Sequence, residues 1–180
     1  MTKTRPPAAL LLTGPPGVGK TTVLRRAAEE LADLEIRGFF TEEIREAGQR
    51  VGFRIETSDG RSDVLAHVKI RSPHKVSKYG VDVAALERVL SKEFSSLPSN
   101  AIVLIDEIGK MECLSRRFVE TMDRLLESAE VLVATVALRG GGFIDEIKRR
   151  PGVVLWNIAR SNRDEMPAKV ADWVRSWVRA

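Results

Sequence analysis

The chain has 180 residues, 43% of them apolar and 30% charged, which excludes the collagen-like, disordered and coiled-coil classes. A net charge of +4 is too small to indicate a polyanionic partner by itself. The single cysteine, Cys113, cannot form an internal disulfide, so we expect a cytoplasmic protein. No apolar stretch approaches the length of a membrane-spanning helix, so we expect no membrane contact.

The predicted elements alternate between buried strands and amphipathic helices. A strand over 8–12 leads through several glycines into a helix over 21–34. Short apolar runs typical of buried strands follow at 101–105, 131–136 and 153–156. Apolar residues at helical spacing predict four more helices, over 83–94, 118–126, 143–149 and 170–178.

A section of different periodicity separates the first strand and helix from the rest. Residues 38–45, 51–57 and 62–68 are strand-like and are joined by short turns, which favours antiparallel hairpins. We therefore predict an α/β fold of three layers over 1–180. It is a single domain with a mostly parallel sheet and an inserted antiparallel hairpin section.

The first loop carries a phosphate-binding motif. The eight residues that match G-x-x-x-x-G-K-[ST] are Gly14, Pro15, Pro16, Gly17, Val18, Gly19, Lys20 and Thr21. The glycines allow backbone N–H groups to surround a phosphate chain, and the following helix points its positive N-terminus at the same anion. Lys20 supplies charge to the β- and γ-phosphates, and the Thr21 hydroxyl can ligate Mg²⁺.

Two acidic residues directly after the apolar strand at 101–105 are the second part of the candidate site. Asp106 is predicted to hold Mg²⁺ together with Thr21, and Glu107 to orient and deprotonate water. A carboxylate beside the metal-binding aspartate favours hydrolysis. A kinase would need a pocket for an acceptor, and no acceptor motif is visible in the sequence.

Five further residues are weaker candidates, each with a structural alternative. Lys110 and Arg139 either reach a phosphate or are surface cations. Thr41 and Glu43 share one strand face, which either faces the γ-phosphate or is solvated. Arg163 lies in a loop that either contacts the nucleobase or is merely polar.

Other polar side chains have ordinary structural interpretations. Thr135 is either a polar sensor on the central strand or a simple strand former. His67 and His74 lack the spacing of metal ligands, so we interpret both as structural. Trp173 and Trp177 lie on one helix face and are predicted to pack in the core.

Taken in order, five blocks of the sequence resemble those of the THEP-type nucleoside-triphosphatases. They are GPPGVGKTT at 14–22, GFFTEEIR at 38–45, VGFR at 51–54, KVSKYGVDV at 75–83 and IVLIDEIGKMEC at 102–113. The resemblance extends from residue 10 to about residue 165. The fourth and fifth blocks are more diagnostic than the phosphate-binding motif.

This resemblance implies a RecA-like P-loop NTPase fold, in which another strand separates the nucleotide-binding strand from the acidic strand. It also implies Mg²⁺-dependent hydrolysis of ATP, GTP, CTP and UTP with broad base tolerance. Lys20, Asp106 and Glu107 would be catalytic. The implied nucleotide-binding stretches are 14–22, which adds Thr22 to the motif, and Ile102, Val103, Leu104, Ile105, Asp106, Glu107, Ile108 and Gly109.

The sequence departs from the family pattern in two places. Members commonly carry a His-Pro pair after the strand at 131–136, where this chain has RGGGF at 139–143. Ser77 occupies a position that is usually glycine.

Two other functions stay open as alternatives. One is a nucleoside or small-molecule kinase, which would share the phosphate-binding loop. The other is a nucleotide-gated module that binds nucleic acid, which the sequence pI near 9.5 suggests. No aromatic and basic nucleic-acid motif is visible, so we expect no nucleic-acid partner, and we expect a monomer.

Overall fold

The computed structural model describes residues 8–127 and 131–178. The ends of the domain predicted over 1–180 therefore lie outside the described residues. The strands are β1 (Ala8–Thr13), β2 (Ile36–Glu46), β3 (Gln49–Thr57), β4 (Ser62–His67), β5 (Lys75–Val76), β6 (Tyr79–Val81), β7 (Ile102–Ile108), β8 (Val131–Val136) and β9 (Val153–Asn157). The α-helices are α1 (Lys20–Glu30), α2 (Val83–Phe94), α3 (Arg116–Glu127), α4 (Gly142–Ile147) and α5 (Met166–Val178).

All nine strands form one sheet in the order β5-β6-β4-β3-β2-β7-β8-β1-β9. Strands β2, β7, β8, β1 and β9 are parallel neighbours, and β3, β4, β6 and β5 continue the sheet in antiparallel pairing. Strand β8 lies between β1 and β7, as the resemblance implied. The predicted α/β fold is confirmed, and its hairpin section proves to be an extension of the main sheet.

Helices cover both faces of the sheet and make the predicted three layers. Alternate residues of β1 point to opposite faces, since Leu10 and Leu12 join one core cluster while Ala9 and Leu11 join the other. Helices α1 and α5 pack on the first face, and α2, α3 and α4 on the second. Trp173 and Trp177 are partly buried against the first cluster, as predicted.

Three elements differ from the sequence prediction. Strands β5 and β6 were not predicted, because two or three residues are too few to show a strand period. Strand β9 is not buried like the other apolar runs, since it pairs only with β1 at the sheet edge. Val154 is 38% and Leu155 43% exposed.

No helix of the described residues is long and apolar enough to span a membrane.

Gly38 lies where the parallel and antiparallel parts of the sheet meet. It pairs with Leu104 of β7, and Ser58 after β3 donates its N–H to the Gly38 carbonyl. Its φ is +132°, and a Cβ there would lie 1.8 Å from the Leu104 carbonyl oxygen. Only glycine fits this close backbone approach. Ser77 also has a positive φ, of 54°, in the left-handed region that glycine adopts most readily.

Candidate nucleotide site

The phosphate-binding loop connects β1 to α1 without an intervening turn of helix. Gly19 caps the helix at φ 108° with no side-chain cap, so the first N–H groups of α1 are left for a ligand. The Val18 N–H donates to the Pro15 carbonyl at 3.2 Å, which closes the loop on itself. The loop therefore has the open-ended helix N-terminus that an anion requires.

Lys20, the first residue of α1, lies across this loop. Its ammonium donates to the Gly14 carbonyl at 3.2 Å and lies 4.0 Å from the Glu107 carboxylate. The side chain is only 10% exposed. The Lys20 ammonium is therefore already positioned to bind a phosphate at the loop.

Asp106 is held by hydroxyl groups from three different elements. Thr21 of α1 donates to it at 2.9 Å, Thr41 of β2 at 3.3 Å, and Thr135 of β8 at 2.5 Å. Asp106 is 1% exposed. This burial raises its pKa, and the hydrogen bonds from the threonine hydroxyls counter part of the effect.

Glu107 follows at the rim of the same strand end, and its side chain is 35% exposed. Partial burial raises its pKa, while the charge of Lys20 lowers it and that of Asp106 raises it. A carboxylate with a raised pKa is a stronger base than a solvated glutamate. Its position and basicity both suit proton abstraction from a bound water molecule.

A third acid lies behind this pair. Glu112, in a 3₁₀ turn over Glu112–Leu114, is 4% exposed, and burial raises its pKa to about 8. Its carboxylate and that of Glu107 flank Gly109, where a Cβ would lie 2.9 Å from an oxygen of each. Glu112 is thus neutral below about pH 8.

Lys20, Thr21 and the two acids of β7 open onto one cavity of about 890 Å³, within the range of ligand pockets, whereas Glu112 does not line it. Its wall includes much of the phosphate-binding loop, together with Thr22, Thr41, Asp106 and Glu107. Sequence reasoning did not single out several of its lining residues, namely Arg25, Arg50, Phe53, Ala137 and Leu138.

Four of the five weaker candidates lie at the cavity or against its loop, and one does not. Arg139, Thr41 and Glu43 line the cavity, and Arg163 donates to the Val18 carbonyl at 3.3 Å behind the loop. Lys110 is exposed and does not belong to the cavity wall. Arg139 is thus the one of the two candidate cations, Lys110 and Arg139, that the structure places at the cavity.

Most of the stretch at 102–109 supports the site from within. The side chains of Ile102, Val103, Leu104, Ile105 and Ile108 are at most 2% exposed and belong to the two core clusters. The cavity wall takes only Asp106 and Glu107 from this stretch. The apolar residues fix the strand whose end presents the two acids.

The residues fit a divalent cation bound with its substrate. The Thr21 hydroxyl and the Asp106 carboxylate present oxygen ligands 2.9 Å apart at the phosphate-binding loop. Within residues 8–127 and 131–178, no three His, Cys, Asp or Glu side chains are arranged to hold a metal alone. Mg²⁺ in nucleotide sites takes one or two protein oxygens and completes its shell with phosphates and water, so this sparse set suits it.

A strand, a glycine loop that opens into a helix, and an acidic strand separated from the first by one other define a P-loop nucleotide-binding protein. The sequence profile of the family described as NTPase matches residues 9–171. The chain belongs to this NTPase family.

Relatives and solved structures agree with this assignment. The chain is 39% identical to the nucleoside-triphosphatase THEP1 of Thermotoga petrophila, over 87% of each chain. It is 32% identical to a human cancer-related nucleoside-triphosphatase, over 93% of this chain and 96% of the relative. The crystal structure of THEP1 from Aquifex aeolicus superposes with a TM-score of 0.83 at 32% identity, over 92% of this chain and 98% of that one.

Proposed function

We propose that the protein is a single-domain, Mg²⁺-dependent nucleoside-triphosphatase that releases a nucleoside diphosphate and phosphate. The observation that carries the proposal is the meeting of Lys20, Thr21, Asp106 and Glu107 in one cavity at the phosphate-binding loop. The relatives are named nucleoside-triphosphatases, in agreement with this chemistry.

Each protein group has a distinct task in the proposed reaction. The N-terminus of α1 and Lys20 bind the β- and γ-phosphates and stabilise charge that develops on the leaving oxygen. Asp106 and Thr21 would hold Mg²⁺, which neutralises phosphate charge when bound. Glu107 accepts a proton from water as the water oxygen attacks the γ-phosphorus and the bond to the β–γ bridging oxygen breaks.

Arg139, Thr41 and Glu43 line the same cavity beyond this core set. We propose that Arg139 supplies positive charge to the γ-phosphoryl group and that Thr41 orients Asp106. Arg163 supports the loop through the Val18 carbonyl.

We further propose broad tolerance for the base, so that ATP, GTP, CTP and UTP are all substrates. The relatives' names specify a nucleoside triphosphate without naming a base, which supports this. We also propose a cytoplasmic monomer without a nucleic-acid partner. The lone cysteine and the modest net charge support this last proposal.

The direct test is phosphate release from each of the four triphosphates, with Mg²⁺ and with a chelator, and with no acceptor present. The proposal expects release from all four that depends on the metal. Equal rates in chelator would contradict the metal's role. A protein that releases no phosphate and, once an alcohol acceptor is added, forms the phosphate ester of that alcohol and a nucleoside diphosphate would be a kinase instead.

A further inference from the structure

A second cavity of about 500 Å³ adjoins the nucleotide cavity. Arg50 and Phe53 line both, so the two cavities share a wall. Strand β2 shows where the second cavity lies relative to the nucleotide site. The Thr41 hydroxyl donates to Asp106, and Glu43, two residues farther along β2, pairs with Phe53 of β3. Two residues of a strand span about 7 Å, so the second cavity lies beyond the acidic end of the nucleotide site.

One wall of this second cavity is aromatic and well fixed. The rings of Phe53 and Tyr79 meet edge to face with centroids 5.3 Å apart. The Arg50 guanidinium lies 5.2 Å from the Phe53 centroid and donates to the Tyr79 hydroxyl at 3.1 Å. Tyr79 is only 4% exposed, so packing on several sides holds its ring. Met111 and Val76 add apolar surface next to these rings.

Two cationic side chains, Arg50 and Lys78, line this second cavity. Arg50 also donates to Glu43 at 2.9 Å, so much of its charge is neutralised. Lys78 is exposed with its ammonium 5.5 Å from the Tyr79 centroid, and it forms no ion pair with the described residues. Its charge is therefore available to a ligand that lies against the aromatic wall.

We propose that this second cavity binds a small molecule that carries both a ring and an anionic group, beside the bound nucleoside triphosphate. The ring would stack on the partly exposed Phe53, which its edge-to-face contact with the buried Tyr79 holds in place, and the anion would pair with Lys78. A volume of about 500 Å³ accommodates a ligand of this size. The inference rests on the proposed function only because the triphosphate is assigned to the neighbouring cavity.

Phenyl phosphate is a suitable probe, since it combines a ring with a dianion. The full chain is saturated with Mg²⁺ and a non-hydrolysable ATP analogue, and binding of the probe is measured by calorimetry. We expect phenyl phosphate to bind in the presence of the analogue, about tenfold more tightly than methyl phosphate, which lacks the ring. Displacement by the analogue, or equal affinity for both esters, would overturn the proposal.

A matched pair of lysine variants tests the anionic half of the site. Lys78→Ala should weaken phenyl phosphate binding about threefold to fivefold, the effect of one exposed ion pair. Lys75→Ala removes an exposed lysine that lies outside this cavity and should leave binding unchanged. Equal behaviour of the two variants would overturn the proposal, and thermal unfolding checks that both remain folded.

The outcome is separable from that of the proposed function. Phosphate release from ATP by the unmodified protein, without phenyl phosphate, tests hydrolysis alone. If hydrolysis is present and phenyl phosphate does not bind, the second site is wrong and the NTPase proposal stands. If phenyl phosphate binds as described and no phosphate is released, only the proposed reaction is wrong.

Discussion

The parallel part of the sheet and its antiparallel extension contribute to the candidate site in different ways. In the parallel part, the site groups gather at the carboxyl ends of three strands: the phosphate-binding loop follows β1, Asp106 and Glu107 lie near the end of β7, and Arg139 follows β8. In the extension, they lie along strands. Arg50 and Phe53 are on β3, and Thr41 and Glu43 are on the part of β2 that runs past its pairing with β7 and pairs only with β3 among the described residues.

This difference explains what each part can do. A loop at a strand end presents backbone N–H groups and can surround a phosphate, as between β1 and α1. A strand face presents alternate side chains and makes a flat wall. Phosphate and metal chemistry therefore belongs to the parallel part, and the surface that surrounds it belongs to the extension.

The largest effect is expected at Glu107, near the end of β7 in the parallel part of the sheet. Glu107→Gln removes the proposed base but keeps the shape of the side chain. We expect turnover to fall about 10²- to 10⁴-fold while nucleotide affinity changes little. Phosphate release and equilibrium binding of an ATP analogue measure the two quantities. Glu120→Gln, on the exposed face of α3, is the matched control, and a fully active Glu107→Gln protein would refute the assignment.

The buried Glu112, in the 3₁₀ turn that follows β7, is expected to make the free energy of unfolding depend on pH. Its pKa is about 8 when folded and 4.5 ordinarily, so the unfolded chain releases the proton first as pH rises. Stability should therefore decrease from about pH 4.5 to pH 8, with no further loss from this group above that.

Glu112→Gln cannot ionise and should lose this group's share of the pH dependence of the free energy of unfolding, which is about 5 kcal/mol across that window. Urea unfolding at several pH values measures the slope. The exposed Glu120→Gln variant should keep the slope of the unmodified protein. A Glu112→Gln protein with an unchanged slope would show that Glu112 is not neutral in the folded state.

The junction of the two parts is tested at Gly38. Alanine there would place its Cβ against the Leu104 carbonyl as well as in a strained backbone conformation. We expect Gly38→Ala to lower the free energy of unfolding by about 3 kcal/mol. Gly60→Ala has a positive φ of 82° but open space around it, so it isolates the strain, at about 1 kcal/mol. Equal losses in urea unfolding would mean that the junction is not tightly packed.

A smaller effect is expected at the central strand. Thr135→Val keeps the volume but removes the hydroxyl that donates to Asp106 at 2.5 Å. We expect the Mg²⁺ concentration for half-maximal activity to rise about tenfold, as for other groups that orient a metal ligand. A titration of phosphate release with Mg²⁺ measures it. Thr57→Val changes a buried threonine of β3 whose hydroxyl donates to Asp59 and to the Arg61 carbonyl, not to Asp106, so it should leave the metal dependence unaltered.

Much of the parallel part could be predicted from the sequence, for a physical reason. Buried parallel strands appear as continuous apolar runs, and a phosphate-binding loop needs glycines and a lysine at fixed spacing. The predicted strand at 131–136 has the bounds of β8, and Lys20, Asp106 and Glu107 meet in one cavity.

The extension could be predicted only in outline. Its three longer strands were found, but Arg50 and Phe53 were not linked to the site, because a side chain on a strand face has no fixed motif. Their place depends on the register of β2 with β3, where Phe53 pairs with Glu43. Thr135 illustrates the same limit, since its sequence neighbours are apolar and its partner Asp106 is 29 residues away.

The supports of the phosphate-binding loop have a consequence for how the protein is made. Among the described residues, β1 pairs with β8 and β9, the Ile158 N–H donates to the Thr13 carbonyl at 2.7 Å, and the Arg163 guanidinium donates to the Val18 carbonyl. On the ribosome, the loop emerges well before these supports. Such distant pairings also slow folding, because a long chain must close before they form. A nascent chain that ends before residue 157 therefore lacks the framework for binding a nucleotide, so its substrate cannot stabilise it during synthesis.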